Sequence, residues 1–166
     1  MTASGKARVA TRKSHGATQW SRRVEDVCAS KGLQLTPLRR RVLSILSDSG
    51  APLGAYAIME KLSKIEEKQI APPTVYRTLE FFLENGFLHK IESRNVFAPC
   101  EHVGHAHGGV LLLCKRCGHS EEIQDSAVDE LLRETADRVG FSIAPQILEV
   151  QGLCNECVSL AARGDK

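Results

Sequence analysis

No run of about 18 apolar residues occurs in the chain, which argues against a membrane-spanning helix; the nearest candidate, Val110-Leu111-Leu112-Leu113, is only strand-sized. Nor is there an apolar segment of signal-peptide type at the amino terminus. Together with the spacing of the six cysteines, this favours a reducing, cytoplasmic setting over a disulfide framework. Acid is also missing early on. No Asp or Glu precedes Glu25, while Lys6, Arg8, Arg12 and Lys13 share residues 1–18 with Ser, Thr, Gly and Ala. Such a stretch reads as a disordered basic arm, either following a phosphate backbone or simply untethered.

The net charge of +2 conceals a split: residues 1–89 carry 14 Lys and Arg against 8 Asp and Glu, and residues 90–166 carry 8 against 12. A basic first half beside an acidic second half suits a chain whose first half alone approaches a polyanion such as DNA. A length of 166 residues accommodates two small domains, each helped by a metal staple.

What the sequence does have is thiol chemistry. Cys114-Lys115-Arg116-Cys117 and Cys154-Asn155-Glu156-Cys157 are two Cys-x-x-Cys pairs separated by 36 residues. Four soft sulfur ligands in this arrangement suit tetrahedral structural Zn²⁺, stapling a strand-helix-strand unit. Just upstream lies a second set of possible ligands: His89, Cys100, His102, His105 and His107. Cys28 falls on an apolar helical face and reads as a small core residue. His15 and His119 read as bystanders in the arm and in a polar turn.

Helical punctuation organises residues 19–98. Trp20, Val24, Val27 and Cys28 recur at helical spacing before Gly32. Thr36-Pro37 opens a second helix with the stripe Leu38, Val42, Ile45 and Leu46. Arg39, Arg40 and Arg41 ride on its first turn, against the macrodipole, and call for a nearby anion. Tyr56, Ile58, Met59, Leu62 and Ile65 mark a third helix. Pro72-Pro73 opens a fourth that closes at Gly86, burying Val75, Leu79, Phe82 and Leu83, so that Thr74, Tyr76, Arg77 and Thr78 include the outward residues of its first turns. An Arg and a Tyr there suit phosphates and base edges in a major groove; the alternative is a partly buried Tyr76 and a solvated Arg77. Two short strands around Ser93-Arg94-Asn95 complete a winged helix.

Beyond Gly108-Gly109 the chain becomes βαβ-like: strands at 110–113 and 121–123, a helix N-capped by Ser126 and stopped by Gly140, and apolar residues leading into the second Cys pair. Its apolar content exceeds what so small a sheet can bury, which points to a partner subunit. The expected fold class is therefore α+β: a winged helix-turn-helix domain plus a small α/β dimerisation domain with a four-cysteine zinc site. The boundaries are an arm at 1–18, DNA-binding domain 19–98, hinge 99–107, dimerisation domain 108–160 and tail 161–166.

Thr36-Pro-Leu-Arg39, Pro73-Thr-Val-Tyr-Arg77 and the paired doublets together resemble the ferric uptake regulator superfamily over residues 19–160. The segment Gly86-Phe-Leu-His89-Lys-Ile-Glu-Ser93, followed by Cys100 and His107, is most similar to its zinc uptake regulators. The resemblance implies a dimeric transcriptional repressor that is not an enzyme, acting on palindromic operator DNA of zinc uptake genes. It also implies structural zinc on Cys114, Cys117, Cys154 and Cys157, and regulatory zinc on His89, Cys100, His107 and Glu122. Tyr76 and Arg77 match the recognition-helix pair, and Tyr56 a tyrosine that helps hold DNA. His102 and His105 have no match and read as exposed loop histidines or as ligands of a third site.

A regulatory set with one thiolate, two imidazoles and one carboxylate suits Zn²⁺, whereas iron and manganese sensors favour nitrogen and oxygen donors. The implied mechanism is that zinc ties wing to dimerisation domain and brings two recognition helices to half-site spacing. Iron-, nickel- or peroxide-sensing relatives are the alternative within the family. Outside it stand a zinc nucleobase deaminase, through His119-Ser120-Glu121 with Cys154-x-x-Cys157, and a zinc-stapled interaction module. The first lacks a proline before Cys154 and leaves Cys114 and Cys117 without work; the second leaves Thr74 to Thr78 unexplained.

Overall fold

The computed structural model describes residues 15–104, 109–143 and 147–162, with side chains from residue 19 onward. The first helix, α1 (His15–Ser30), takes in the last four residues of the expected arm, and residues 1–14 lie outside the described part. Trp20, Val24 and Cys28 recur every fourth residue and are all buried, so one stripe of α1 faces the core and Cys28 is part of it.

Helix α2 (Pro37–Asp48) starts where the sequence requires: the Thr36 side chain accepts the Arg39 N–H at 3.3 Å and Pro37 takes the first helical position. Helix α3 (Ala55–Glu66) and helix α4 (Pro72–Glu84) follow, and Gly86, at φ +67°, turns the chain out of α4. Val42, Leu46, Ile58, Leu62, Leu79, Phe82 and Phe87 share one core. Thr78 belongs to that interior as well. It is 4% exposed and its hydroxyl donates back to the Thr74 carbonyl at 3.0 Å, so it is not an outward position as the helical pattern suggested.

The wing is the antiparallel pair β1 (Leu88–Ile91) and β2 (Val96–Pro99), running from Leu88 opposite Pro99 to Ile91 opposite Val96. Leu53 adds a bridge on the far side, exchanging two backbone hydrogen bonds with Phe97.

The second sheet has the order β4-β3-β5. Strand β3 (Gly109–Cys114) pairs antiparallel with β4 (Ser120–Ile123) and parallel with β5 (Ile147–Gly152), which is reached through helix α5 (Ser126–Arg138). Two local readings change here. The α5 cap is Asp125, whose carboxylate accepts the Ala127 N–H at 2.9 Å from an extended backbone, so Ser126 is already helical. From within the second Cys pair the chain forms a further helix, α6 (Asn155–Ala162), which runs into the expected tail.

Wing and sheet share a second core, in which Ile91 and Ala98 of the hairpin pack on Leu111 and Leu113 of β3. The expected hinge is not slack over its first residues. Cys100 N–H donates to Phe87 O at 3.0 Å and Gly104 N–H to Gly86 O at 3.2 Å. Arg23 of α1 donates to Glu101 O at 2.9 Å, and Lys31 just after that helix donates to Gly104 O. Gly104 sits at φ +101°, and a Cβ there would lie 3.1 Å from Val27, so residues 100–104 lie close against α1. Among the described residues, no helix is long and apolar enough to cross a membrane.

Candidate metal centres and nucleic-acid face

Cys114 ends β3, Cys117 follows in the turn to β4, Cys154 follows β5 and Cys157 lies in the first turn of α6. Their four sulfur atoms all lie within 4.8 Å of one another, with Cys117 and Cys154 at 3.6 Å. All four are free thiols. Tetrahedral Zn–S bonds of about 2.3 Å separate their sulfurs by about 3.8 Å, so the donor set fits. The surrounding hydrogen bonds fix it: Gly118 N–H donates to Cys114 O, Lys115 N–H to Gly152 O and Val158 N–H to Cys154 O, at 3.1, 2.9 and 3.0 Å. Backbone N–H groups of Cys117 and Cys154 hold the Cys114 thiol down to about 5. Burial, then the neighbouring sulfurs, push Cys157 up to about 12. Cys114 is therefore ready as a thiolate, whereas Cys157 gives up its proton on binding a cation. His119 is not among the converging ligands; it sits 3.8 Å from Glu121 in an exposed pair, which removes the deaminase-like constellation.

The second cluster joins the two halves of the chain. His89 comes from β1, Cys100 from the end of β2 and Glu122 from β4, and their ligand atoms also lie within 4.8 Å of one another. His89 Nε2 stands 3.1 Å from Glu122 Oε2, and the two side chains are 10% and 3% exposed. That separation fits adjacent donors on one tetrahedral ion with bonds of about 2.0–2.1 Å. Burial alone would raise the Glu122 carboxyl. The His89 imidazole, the Glu101 N–H at 3.1 Å and His102 outweigh it and hold the group at about 2, ionised and ready to ligate. Burial, and then the Glu122 charge, push the Cys100 thiol up to about 12. His107 and His105 lie outside the described residues.

His102 is the residue that sequence reasoning undervalued. Its Nδ1 lies 3.2 Å from Glu122 Oε1, the oxygen not facing His89, so it orients the carboxylate and is not an idle loop histidine. The available signal was three histidines within seven residues of Cys100.

In the N-terminal domain, Tyr56 of α3 and Tyr76 of α4 line one shallow hollow with Met59, Pro72 and Val75. Tyr56 is 71% exposed and Tyr76 41%, and Arg77 beside it is exposed. The first turn of α4 carries no acid, so the exposed Arg77 adds its charge to the positive end of the helix dipole without a neighbouring carboxylate in that turn. The arginines of α2 do not join this face. Arg39 stacks 3.5 Å over the Phe81 ring and donates to Gln34 O at 2.6 Å, Arg40 pairs with Glu25 at 2.7 Å and Arg41 pairs with Glu66. Arg40 and Arg41 thus find their anions within the chain, and Arg39 a ring face and a carbonyl.

Residues 30–151 match the model of the ferric uptake regulator family. The zinc uptake regulation protein of Escherichia coli K12 is 36% identical over 139 residues, covering 83% of this chain and 81% of its own. Among solved structures, a zinc uptake regulator complexed with zinc and DNA superimposes with TM-score 0.79 at 34% identity, over 90% of this chain and 99% of that one. Holo XcZur matches at TM-score 0.75 and 40% identity, over 85% of this chain and 98% of that one. Its apo form, 39% identical over 87% of this chain and 99% of that one, reaches only 0.51.

Proposed function

The chain belongs to the ferric uptake regulator family, and we propose that it is a zinc-responsive transcriptional repressor, binding palindromic operator DNA as a homodimer and controlling zinc uptake genes in the cytoplasm. The observation that carries the reading is the convergence of His89 and Cys100 from the winged-helix side with Glu122 from the second sheet. When bound there, zinc supplies a tetrahedral cross-link between the two domains. His89 and Cys100 move with the wing, and Glu122 moves with β4. A ligand set completed by His107 therefore fixes how the reading helix α4 sits on the dimerisation domain. The arrangement described here superimposes on holo XcZur better than on the apo form, in keeping with a zinc-competent state. Cys114, Cys117, Cys154 and Cys157 form the structural site, and Tyr56, Tyr76 and Arg77 meet the DNA.

A buried thiol among the regulatory ligands favours zinc over iron or manganese, whose sensors prefer nitrogen and oxygen donors. The domains divide as the ligands do: the winged helix up to β2, and the dimerisation domain from β3 through α6. The deciding experiment is a gel-shift titration of an AT-rich palindromic promoter fragment with purified dimer, with and without added zinc, alongside zinc counted per chain. Two tight zinc ions per chain and operator binding only in the zinc-loaded form are expected. One tight zinc, or binding indifferent to zinc, would remove the proposal.

A further inference from the structure

The turn joining β1 and β2 does not end in solvent. Arg94 Nη2 donates to the Cys114 carbonyl at 2.8 Å. The same carbonyl accepts Gly118 N–H at 3.1 Å, closing the knuckle that carries Cys114 and Cys117. A Cβ on Gly118 would lie 4.0 Å from Arg94 Nη1, so the other arm of the guanidinium also lies near that knuckle. On the other side, the Glu149 carboxylate of β5 accepts the N–H of Glu92 at 2.6 Å and that of Ser93 at 3.3 Å. Beneath these contacts Ile91 packs with Leu111 and Leu113, with Val96 and Ile147 at the edge. The turn conformation presents both donor sets at once: Asn95 takes a left-handed φ of +50°, and Arg94 N–H returns to Ile91 O at 3.2 Å.

The two docking points lie on different strands. Cys114 O belongs to the end of β3 and Glu149 to β5, three residues before Gly152 and five before Cys154. These parallel strands are paired along their whole length, from Gly109 opposite Ile147 to Cys114 opposite Gly152, and the Lys115–Gly152 hydrogen bond and the sulfur cluster close the far end of that ladder. We infer that the second sheet positions the wing: the β3–β5 ladder, closed at its end by the four-cysteine clamp, sets the spacing of Cys114 O and Glu149, which grip the turn 92–95 and orient the reading helix behind it. Arg94 and Glu149 are thus positioning residues for operator binding, and the wing turn docks on the protein and does not probe DNA. The inference deepens the repressor reading and rests on it for its DNA arm.

The test uses full-length, zinc-loaded dimer and the variants Arg94→Met, Glu149→Ala and their double. Arg94→Met keeps the aliphatic stem and loses the donors. Zinc per chain and the dimer should stay as in the parent, which separates these variants from a loss of folding. In Glu149→Ala, amide exchange at Glu92 and Ser93 read by NMR should speed up at least tenfold. Operator affinity should fall about tenfold in each single variant, and the double should fall little further because both side chains hold one turn. The idea is overturned if the Glu92 and Ser93 amides of the parent exchange as freely as an open loop, or if protection is lost while operator affinity stays within twofold. Failure of the parent to bind operator would sink the repressor reading, whereas the exchange arm would still decide whether the turn is gripped.

Discussion

In the proposed regulatory site, Cys100 carries both the choice of metal and the cost of binding it. Its metal-free thiol, pushed up to about 12 by burial and by Glu122, is fully protonated at neutral pH. Zinc must expel that proton, so binding to the regulatory site should release about one proton near pH 7.5, and affinity should fall about tenfold for each unit the pH drops. Calorimetry in buffers of different ionisation enthalpy reads the proton directly. Cys100→Ser should abolish the release and the tight site together, and tight zinc-dependent operator binding in that variant would contradict the assignment. His102 acts one bond further out, through Glu122 Oε1. Replacing it with leucine should weaken regulatory zinc about tenfold, at the low end of what losing an outer hydrogen bond to a ligand costs. Competition with a chelating dye measures this, and zinc on the four-cysteine clamp should be unaffected.

At the scale of elements, local chemistry predicts well and distant partners do not. Thr36 and Pro37 start α2 as their types demand. Thr36→Ala should therefore lower unfolding stability by about 1 kcal/mol, seen as a shifted denaturant midpoint with unchanged slope. Helix α4 was equally legible, from Pro72 to the stop at Gly86, and so was the apolar run that makes β3 a strand. What the sequence could not supply was the side chain from elsewhere. Arg39 to Arg41 call for a nearby anion, and that Glu25 and Glu66 supply it to Arg40 and Arg41 while Phe81 receives Arg39 emerges only through tertiary packing. Thr78 looked outward because its hydroxyl is satisfied by its own helix. His102 was a loop histidine until β4 brought Glu122 beside it. Helix α6 went unseen because eight residues that begin inside a metal motif carry too little periodicity to stand out. On α4 the test is sharper: Arg77→Ala should weaken operator binding by about 1–3 kcal/mol if it reads a base edge, and should reduce the salt slope by about one if it meets phosphate. Leaving both untouched would move the reading face elsewhere.

For the molecule as a whole, the second sheet has two faces with two duties, set by the alternation of side chains along a strand. Leu111 and Leu113 of β3, with Glu122 and Glu149 opposite Leu111 in the ladder, face the wing and the proposed regulatory site. Leu112, Ile123, Leu148 and Val150 fall on the other parity and stay 37%, 44%, 38% and 42% exposed. Helix α5 buries none of its residues, leaving Leu131 60% exposed, with Val139 and Phe141 just beyond it at 79% and 64%. So much contiguous apolar surface is out of place on a monomer and fits the homodimer contact. Leu148→Asp with Val150→Asp should therefore yield monomers by sedimentation at concentrations where the parent is dimeric. The clamp should keep its zinc, since the strand ladder and the cysteines remain. Operator affinity should collapse, because a single winged helix holds only one half-site. Dimers persisting in this variant with full operator affinity would place the contact on another surface, and would leave the apolar parity of β3 and β5 without a purpose.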